Sequence, residues 1–417
     1  MRDPTPRRTR FRRTLLQHEP VSPTHGGFLP PDEQLAALRL GAVSLETEAE
    51  LKAKLALGRP LRVKAGFDPT SADLHLGHTL VMRKMAQFQQ LGHLVDFVIG
   101  DATALIGDPS GRDATRPLAT PEDVAKNAQT YQDQAFKVLD RDKTRIRFNS
   151  EWLGKLRFED MVRLAGKYTV SRMLERNDFK KRHDEGVPIS VHEFLYPLAQ
   201  AYDSVVLETD VELGGDDQYF NLNVGRDVMR RYGLPAQCIL TTPLLEGLDG
   251  QKKMSKSIGN YVAVDEPPFE MLSKLMSVSD DLMWRYYALL SLVAPAEIDR
   301  RRKDDHPLEA KMALAREIVE RYHSAAAAAS AGEEWRARFQ KRETPEDVPE
   351  VSAESAPLAK LLGAAGLAES ISEARRLITQ GAVTIDGARA ADAGAVLPPG
   401  TYAVKVGKRR FAKLRVR

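Results

Sequence analysis

The chain has 417 residues, of which 42% are hydrophobic and 29% are charged, and its formal net charge is +3. This length allows two or three domains with a sizeable core, and the composition is that of a globular protein. Because Cys238 is the single cysteine, a disulfide framework or a thiolate zinc site within one chain is excluded, and we expect the reducing cytoplasm. No segment approaches the roughly 18 consecutive apolar residues of a membrane span, so no membrane association is expected.

The charge is unevenly distributed along the chain. Residues 1–30 contain six arginines against Asp3 and Glu19, and we expect a basic, disordered extension. Residues 357–417 contain eleven Lys and Arg against four Asp and Glu, so the remaining chain is net acidic. A basic block at the end of an acidic chain favours contact with a polyanion, although a solvated charged face is the alternative.

The predicted elements alternate between strands and helices. In chain order they are a strand at 61–67, a helix at 79–92, a strand at 94–101, a helix at 121–139, strands at 145–150 and 204–213, a helix at 217–233 and a strand at 238–245. The apolar run at 94–101 is typical of a strand buried on both faces. The alternation predicts an α/β fold with a parallel sheet covered by helices.

Composition shifts divide the chain into five predicted segments. Helical patterns dominate after the last of these strands, and a stretch rich in proline and acidic residues then reads as a linker. The segments are an extension at 1–30, an α/β domain with an insertion at 31–265, a helical domain at 266–340, a linker at 341–356 and a small α+β domain at 357–417.

Two short motifs carry the candidate chemistry. The sequence HLGH (75–78) follows a predicted strand where a helix begins, and KMSKS (253–257) lies in a polar loop after another strand. The histidines could be metal ligands, ordinary half-buried side chains, or donors to an anion at a helix N-terminus, where Gly77 would let the anion approach the backbone. The lysine loop could be merely solvated. The fingerprints GxGxxG and GxxxxGK[ST] are missing from the sequence.

The two motifs together resemble the signature pair of the class I aminoacyl-tRNA synthetases. With GFDPT (66–70), LIGDPSGR (105–112), YPLAQAYD (196–203) and GGDDQ (214–218), the chain resembles the bacterial tyrosyl-tRNA synthetases over residues 32–417. The resemblance implies a Rossmann-like catalytic domain, a helical anticodon-side domain, a ribosomal-protein-like RNA-binding domain and a homodimer. It also implies activation of L-tyrosine by ATP and transfer of tyrosine to tRNA(Tyr).

The resemblance assigns roles to individual residues. The implied catalytic residues are His75, His78, Lys253, Lys256, Arg112 and Arg116. Further implied ATP contacts are Gly66, Gly77, Gly215, Asp217, Met254, Ser255 and Ser257. Implied tyrosine contacts are Asp203, Tyr196, Gln200, Asp108, Gln218 and Asp68. Implied RNA contacts are Arg375, Arg376, Lys408, Arg409 and Arg410. ATP would be a co-substrate that brings Mg²⁺ with it, and no protein-built metal site is expected.

Asp203 is the residue implied to select tyrosine, because its position in the family accepts a hydrogen bond from the substrate hydroxyl. Many relatives have a second hydroxyl partner, a tyrosine, where this chain has Lys64, and the role of that lysine stays open. The alternatives are a tryptophanyl-type synthetase, a nucleotidyltransferase that uses no tRNA, and a catalytically silent RNA-binding paralogue. A carboxylate at 203 disfavours the first, the lysine motif and basic tail the second, and the intact motifs the third.

Overall fold

The computed structural model describes residues 27–70, 72–110, 120–339, 350–386, 388–407 and 410–417. The chain forms two compact units, and the first ends at Gly332. The helices are α1 (Pro31–Arg39), α2 (Glu48–Leu55), α3 (Leu76–Gln90), α4 (Asp101–Ile106), α5 (Pro121–Ala135), α6 (Ser150–Leu153), α7 (Phe158–Ala165), α8 (Val170–Met173), α9 (Asn177–Asp184), α10 (Leu195–Leu207), α11 (Tyr219–Arg231), α12 (Pro268–Ser277), α13 (Asp280–Leu290), α14 (Pro295–Asp304), α15 (Pro307–Tyr322), α16 (Ala325–Phe339), α17 (Leu358–Ala364) and α18 (Ile371–Thr379).

The strands form two separate sheets. They are β1 (Leu45–Glu46), β2 (Arg62–Phe67), β3 (Leu94–Ile99), β4 (Thr144–Phe148), β5 (Val211–Gly215), β6 (Cys238–Thr242), β7 (Glu350–Ala353), β8 (Val383–Ile385), β9 (Ala388–Arg389), β10 (Gly400–Val406) and β11 (Arg410–Val416). In the first sheet the order is β1-β6-β5-β2-β3-β4, and all neighbours are parallel except β1 and β6. The predicted α/β fold with a parallel sheet is confirmed.

The strand order reverses between β2 and β5. The chain proceeds outward from β2 to β3 and β4, then returns to lay β5 against the other edge of β2 and β6 beyond it. The carboxyl ends of β2 and β5 therefore lie side by side, with their connections leaving in opposite directions. Such a switch point leaves a crevice outside the sheet, and ligands of open α/β sheets bind there.

Residues 204–213 differ from the predicted strand. The first four continue α10, which ends at Leu207 and buries Leu198 and Ala201 in a hydrophobic cluster and Asp203 in the wall of a cavity. Glu208 then takes a left-handed conformation with φ 47°, and β5 begins only at Val211. The β-branched Val205 and Val206 suggested a strand, but packing of the helix overrides that local preference.

After β6, the helices α12–α15 follow one another without an intervening strand among the described residues. The α3 side chain of Arg83 donates to the carbonyl oxygens of Leu289 and Leu290, each at 2.9 Å, at the C-terminus of α13. A cation there complements the negative end of the helix and attaches the helical region to α3.

The second unit contains a sheet of order β7-β11-β10-β8-β9 with α17 and α18. Its core includes the fully buried Leu362, Val383 and Leu414. β7 lies inside the predicted linker, so that prediction is wrong for Glu350–Ala353, which pairs in parallel with β11. The acidic composition concealed an alternation in which Val351 and Ala353 face inward.

Among the helices that the structure describes, none is both long enough and apolar enough to cross a membrane.

We expect the first sheet to depend on the packing of β6. Leu240 is fully buried there, so Leu240→Ala should lower the free energy of unfolding by about 2–5 kcal/mol. Leu57→Ala is the control, because Leu57 is 60% exposed and its loss should cost less than about 0.5 kcal/mol. Urea unfolding followed by circular dichroism measures both, and equal losses would contradict the described burial.

Candidate active site

A cavity of about 550 Å³ opens at the carboxyl ends of the parallel strands. Its walls come from the segments that follow β2, β3, β5 and β6, together with α10. It brings together these residues singled out from the sequence: Gly66, Asp68, His75, Gly77, His78, Asp108, Tyr196, Gln200, Asp203, Gly215, Asp217, Gln218, Lys253, Met254, Ser255, Lys256 and Ser257. Arg112 and Arg116 lie outside the described residues.

The two motif histidines form a stacked pair where α3 begins. Their ring centroids are 3.8 Å apart at an interplanar angle of 23°. The N–H of Gly77 donates to His75 Nδ1 at 3.1 Å, and the N–H of His75 donates to His78 Nδ1 at 3.2 Å. Because each Nδ1 accepts a hydrogen bond, each neutral ring carries its proton on Nε2. Both rings therefore have an Nε2–H group that could donate a hydrogen bond to a phosphate oxygen.

The histidines are uncharged at neutral pH. Burial lowers the pKa of His75 to about 3, with the charges of Lys256 and Lys253 acting in the same direction. Burial, the neighbouring His75 and the same lysines hold the pKa of His78 well below its usual range. The pair can thus donate hydrogen bonds to an anion without itself supplying positive charge.

Gly77 lies against the His75 ring at the start of α3. The N–H groups of Leu76, Gly77 and His78 already donate to Val262 O, His75 Nδ1 and His75 O, so the protein itself occupies the first amides of α3. A Cβ at Gly77 would lie 2.9 Å from the His75 ring, so glycine is needed for that ring to fold back over the helix.

The KMSKS loop packs directly on the HLGH motif. Met254 is buried, and its Cβ lies 3.7 Å from the position that a Cβ on Gly77 would occupy. The N–H of Ser255 donates to Asn260 Oδ1 at 2.8 Å, and the Asn260 amide donates to Asp249 at 3.0 Å. These bonds hold the loop against the cavity.

The two lysines of this loop differ in their surroundings. Lys253 Nζ lies 2.6 Å from Asp217 Oδ2 in a half-exposed ion pair. Lys256 Nζ is buried without a hydrogen-bond partner in the described part of the chain, 5.6 Å from the centroid of the Tyr131 ring. Burial lowers the pKa of Lys256 to about 8. A desolvated ammonium with unused donors favours an anionic ligand.

Asp68 is the centre of a second group of polar side chains. Its carboxylate accepts from Tyr196 Oη and from Thr103 Oγ1, each at 2.8 Å. A Cβ on Gly100 would collide with this carboxylate, so glycine is required at the end of β3. Burial raises the pKa of Asp68 to about 7, and the nearby charges of Asp108 and Asp203 contribute.

Asp108 remains ionised in the same wall. It accepts from the Ser110 hydroxyl at 2.6 Å and from Gln218 Nε2 at 2.8 Å, and Arg176 Nη2 lies 3.6 Å away. Burial opposes ionisation, but the Arg176 guanidinium and these hydrogen bonds hold the pKa of Asp108 below its usual value. A buried carboxylate of this kind suits a cationic group such as an ammonium.

Asp203 lies on α10 with both carboxylate oxygens engaged. Trp152 Nε1 donates to one at 2.8 Å, and Asn149 Nδ2 makes a longer contact of 3.5 Å with the other. Burial raises the pKa of Asp203 to about 7, while the charge of Lys64 and these donors oppose the rise. The side chain is a fixed acceptor in the cavity wall.

Sequence reasoning missed five side chains that support the site. These are Thr103, Tyr131, Asn149, Trp152 and Arg176. The first residue after β4 is Asn149, and its position at the carboxyl end of a parallel strand was a usable signal. Arg176 precedes a short surface helix and carries no such signal.

The structure contains no group of three His, Cys, Asp or Glu side chains able to hold a metal ion, within the ranges it describes. Whether the chain builds a metal site of its own stays a prediction.

The expected RNA contacts lie in the second unit. Arg375 and Arg376 are exposed on α18. Arg410 is engaged by the protein, because its guanidinium donates to Leu367 O at 2.9 Å and to Glu373 at 3.2 Å. Lys408 and Arg409 lie outside the described residues. Their contact with RNA stays a prediction.

Comparisons with known proteins cover almost the whole chain. Residues 56–340 match the family of class I tRNA synthetases (W and Y), and residues 357–401 match the S4 domain. The tyrosine–tRNA ligase of Oleidesulfovibrio alaskensis is 54% identical over 395 residues, which are 93% of this chain and 99% of that protein. The tyrosine–tRNA ligase of Geobacter sulfurreducens is 53% identical over 396 residues, covering 92% and 98%.

Solved structures agree with this assignment. Tyrosyl-tRNA synthetase from Archaeoglobus fulgidus, crystallised with L-tyrosine, has a TM-score of 0.60 at 25% identity and covers 72% of this chain and 99% of that chain. The matched family region contains the cavity and both motifs. The chain therefore belongs to the class I tRNA synthetases, in the family of the bacterial tyrosine–tRNA ligases.

Proposed function

We propose that the chain activates L-tyrosine with ATP and transfers the tyrosyl group to tRNA(Tyr). The observation that carries the proposal is the single cavity into which both signature motifs and Asp203 project. A tyrosine carboxylate oxygen would bond to the α-phosphorus of ATP while the bond from that phosphorus to the bridging oxygen breaks, releasing pyrophosphate. The terminal tRNA hydroxyl would then displace AMP from the carbonyl carbon.

This reaction needs no enzyme nucleophile, so the chain's contribution is alignment and stabilisation of charge. The Nε2–H groups of His75 and His78 would donate to phosphate oxygens. Lys256, buried without a partner among the described residues, would supply positive charge to the leaving pyrophosphate, and Lys253 would assist. We propose Arg112 and Arg116 as further phosphate contacts on the strength of the family resemblance alone.

Remaining ATP contacts are proposed on the same side of the cavity. Gly66, Gly77, Gly215, Asp217, Met254, Ser255 and Ser257 line it. Mg²⁺ would enter with ATP and neutralise phosphate charge, and its ligands would be mainly phosphate oxygens and water.

Tyrosine would be held by the carboxylate-bearing side chains that line the cavity. Asp108 and Asp68, with Tyr196, Gln200 and Gln218, would receive the ammonium and align the carboxylate. Asp203 would accept a hydrogen bond from the phenol hydroxyl. Phenylalanine would bury this carboxylate without the hydrogen bond that the substrate hydroxyl supplies, an effect for which tyrosyl-tRNA synthetases are themselves the established example. Tryptophan is the alternative substrate. It also carries a ring donor, its indole N–H, but at a different position from the tyrosine hydroxyl.

The chain is also proposed to act as a homodimer in the cytoplasm. Support for the dimer comes from the family resemblance and from exposed apolar side chains on and near α7 and α8, with Phe158 83% exposed and Val170 61% exposed. The solution mass measured by light scattering tests the dimer.

The direct test of the proposed function is charging of tRNA. Purified full-length chain, ATP, Mg²⁺ and bacterial tRNA should incorporate labelled tyrosine into acid-precipitable tRNA, and labelled tryptophan should not be incorporated. Incorporation of tryptophan alone would move the substrate assignment. A folded chain that binds RNA and charges neither amino acid would make the silent paralogue the better reading.

Gly77→Ala should impair activation without harming the fold. The new Cβ would displace the His75 ring, and a misplacement of about 1 Å can cost on the order of 100-fold in rate. ATP–pyrophosphate exchange should fall by about that factor, with little change in KM for tyrosine. Thermal stability should fall only slightly, because the better helix propensity of alanine offsets part of the lost hydrogen bond from the Gly77 N–H to His75 Nδ1.

Gly363→Ala is the control for this substitution. It lies in α17, where an added Cβ meets nothing within 4 Å, so exchange should be unchanged. Normal exchange by the Gly77→Ala chain would show that the position of the His75 ring is not needed.

Replacing both exposed arginines of α18, Arg375→Ala with Arg376→Ala, should raise KM for tRNA and leave exchange unchanged. Each lost phosphate contact should reduce the salt dependence of tRNA binding by about one unit of log–log slope. Arg39→Ala is the control, since Arg39 is an exposed arginine of the first unit paired with Glu48. An unaltered salt slope in the double variant would remove α18 from the RNA-binding surface.

A further inference from the structure

Lys64 forms a buried ion pair behind the tyrosine-binding wall. It lies on β2 directly opposite Glu212 of β5, and both side chains are 1% exposed. Lys64 Nζ is 2.9 Å from Glu212 Oε1. The pair therefore spans the point where the strand order reverses, beneath α10.

Lys64 has no donor left for a substrate. An ammonium group has three N–H donors. Nζ of Lys64 contacts three acceptors: Gln200 O at 3.1 Å, Ser204 Oγ at 2.7 Å and Glu212 Oε1 at 2.9 Å. The lysine therefore does not replace the hydroxyl partner that many relatives have at this position, and its effect on the substrate must be indirect.

Glu212 completes the attachment of α10 to the sheet. Its carboxylate accepts from Gln200 Nε2 at 3.1 Å and from the Ser204 hydroxyl at 3.1 Å, and Gln237 Nε2 also donates to it. The ion pair thus binds backbone and side chains of α10 on both sides of Asp203.

The amide orientation of Gln200 follows from this arrangement. Because its Nε2 donates to Glu212, its Oε1 must point the other way. That oxygen is buried without a hydrogen-bond partner among the residues described, and Gln200 lines the cavity. It is an unused acceptor, which suits an ammonium group.

We propose that the Lys64–Glu212 pair is a positioning device that holds two acceptors of α10, Gln200 Oε1 and the Asp203 carboxylate, ready for tyrosine. The inference deepens the proposed function and rests on it. Lys64 and Glu212 would act through α10 and through charge, without touching the substrate.

The ion pair also affects the pKa of Asp203, and this effect can be measured. The charged groups that act on it are Lys64 of β2, Glu212 of β5 and Asp68 beyond the end of β2, and its hydrogen-bond donors are Trp152 and Asn149. Burial raises the pKa of Asp203 to about 7, Lys64 opposes this rise and Glu212 adds to it. Removing one member of the pair should therefore move the pKa of Asp203 in the direction set by the charge that remains.

The test compares two single variants with opposite expected effects. Exchange kinetics give the ratio of kcat/KM for tyrosine to kcat/KM for phenylalanine between pH 6 and 9. This ratio isolates the group that contacts the hydroxyl, because ammonium contacts such as Asp68 serve both amino acids. In the unsubstituted chain the ratio should rise as pH passes through about 7, where Asp203 ionises.

Lys64→Met should move this inflection up by about one pH unit and lower the ratio at pH 7 by about fivefold, because the ionised fraction of Asp203 would fall from about one half to about one tenth. Glu212→Gln should move it down, because Lys64 is then left unopposed. The double variant should return the inflection close to its original pH. If Lys64→Met does not fold, the Glu212→Gln variant still tests the proposal, because its inflection must move to lower pH.

Lys84→Met is the matched control. Lys84 is also a buried lysine with three acceptors, Leu38 O, Leu40 O and Gln87 Oε1, but it does not act on Asp203. Its loss should reduce stability without moving the inflection.

The outcomes distinguish a failure of the proposed function from a failure of the positioning role of Lys64 and Glu212. Absence of tyrosine-dependent exchange in the unsubstituted chain would overturn the proposed function, and this inference with it. Normal exchange with inflections that stay fixed, or shift in the same direction in both single variants, would overturn the inference alone.

Discussion

The parallel pairing of β2 with β5, at the reversal of strand order, determines which side chains meet in the cavity. It sets two strand ends side by side, so that Asp68 and the HLGH motif leave from one strand while Gly215 and Asp217 leave from the other. Residues distant in sequence thereby line one cavity. The same pairing sets Lys64 opposite Glu212, and this ion pair attaches α10 to the sheet.

Burial divides the electrostatic roles around this cavity. The imidazoles of His75 and His78 are held neutral, so positive charge on the phosphate side comes from lysines. Buried carboxylates gather on the other side, where Asp108 stays ionised beside Arg176 while the pKa values of Asp68 and Asp203 rise to about 7. This separation of charge would draw an anionic nucleotide and a cationic amino group to different walls of the pocket, as the proposed function requires.

Much of this arrangement could be predicted from the sequence. Buried strands read as apolar runs, and helices began at recognisable caps, as at Thr120 before Pro121. The motifs marked the residues that follow β2 and β6. The sequence misled where local preference conflicts with packing: Val205 and Val206 read as strand but belong to α10, and acidic Glu350 concealed β7.

Other features had no local signal. Nothing near Lys64 in sequence indicates that Glu212 would neutralise it, because strand register across the reversal decides that contact. The same holds for Arg176, which contacts Asp108 although the two residues are far apart in sequence. The contact between Gly77 and the His75 ring had no local signal either, since it emerges only from the folded start of α3.

The proposed function requires that one cavity align ATP with tyrosine and select tyrosine by its hydroxyl. The most direct measurement is amino-acid-dependent ATP–pyrophosphate exchange by the purified chain without tRNA, with tyrosine, phenylalanine and tryptophan supplied in turn. We expect rapid exchange with tyrosine and far weaker exchange with the other two. Comparable exchange with phenylalanine would contradict selection by Asp203, and no exchange with any of the three would contradict the proposed function itself.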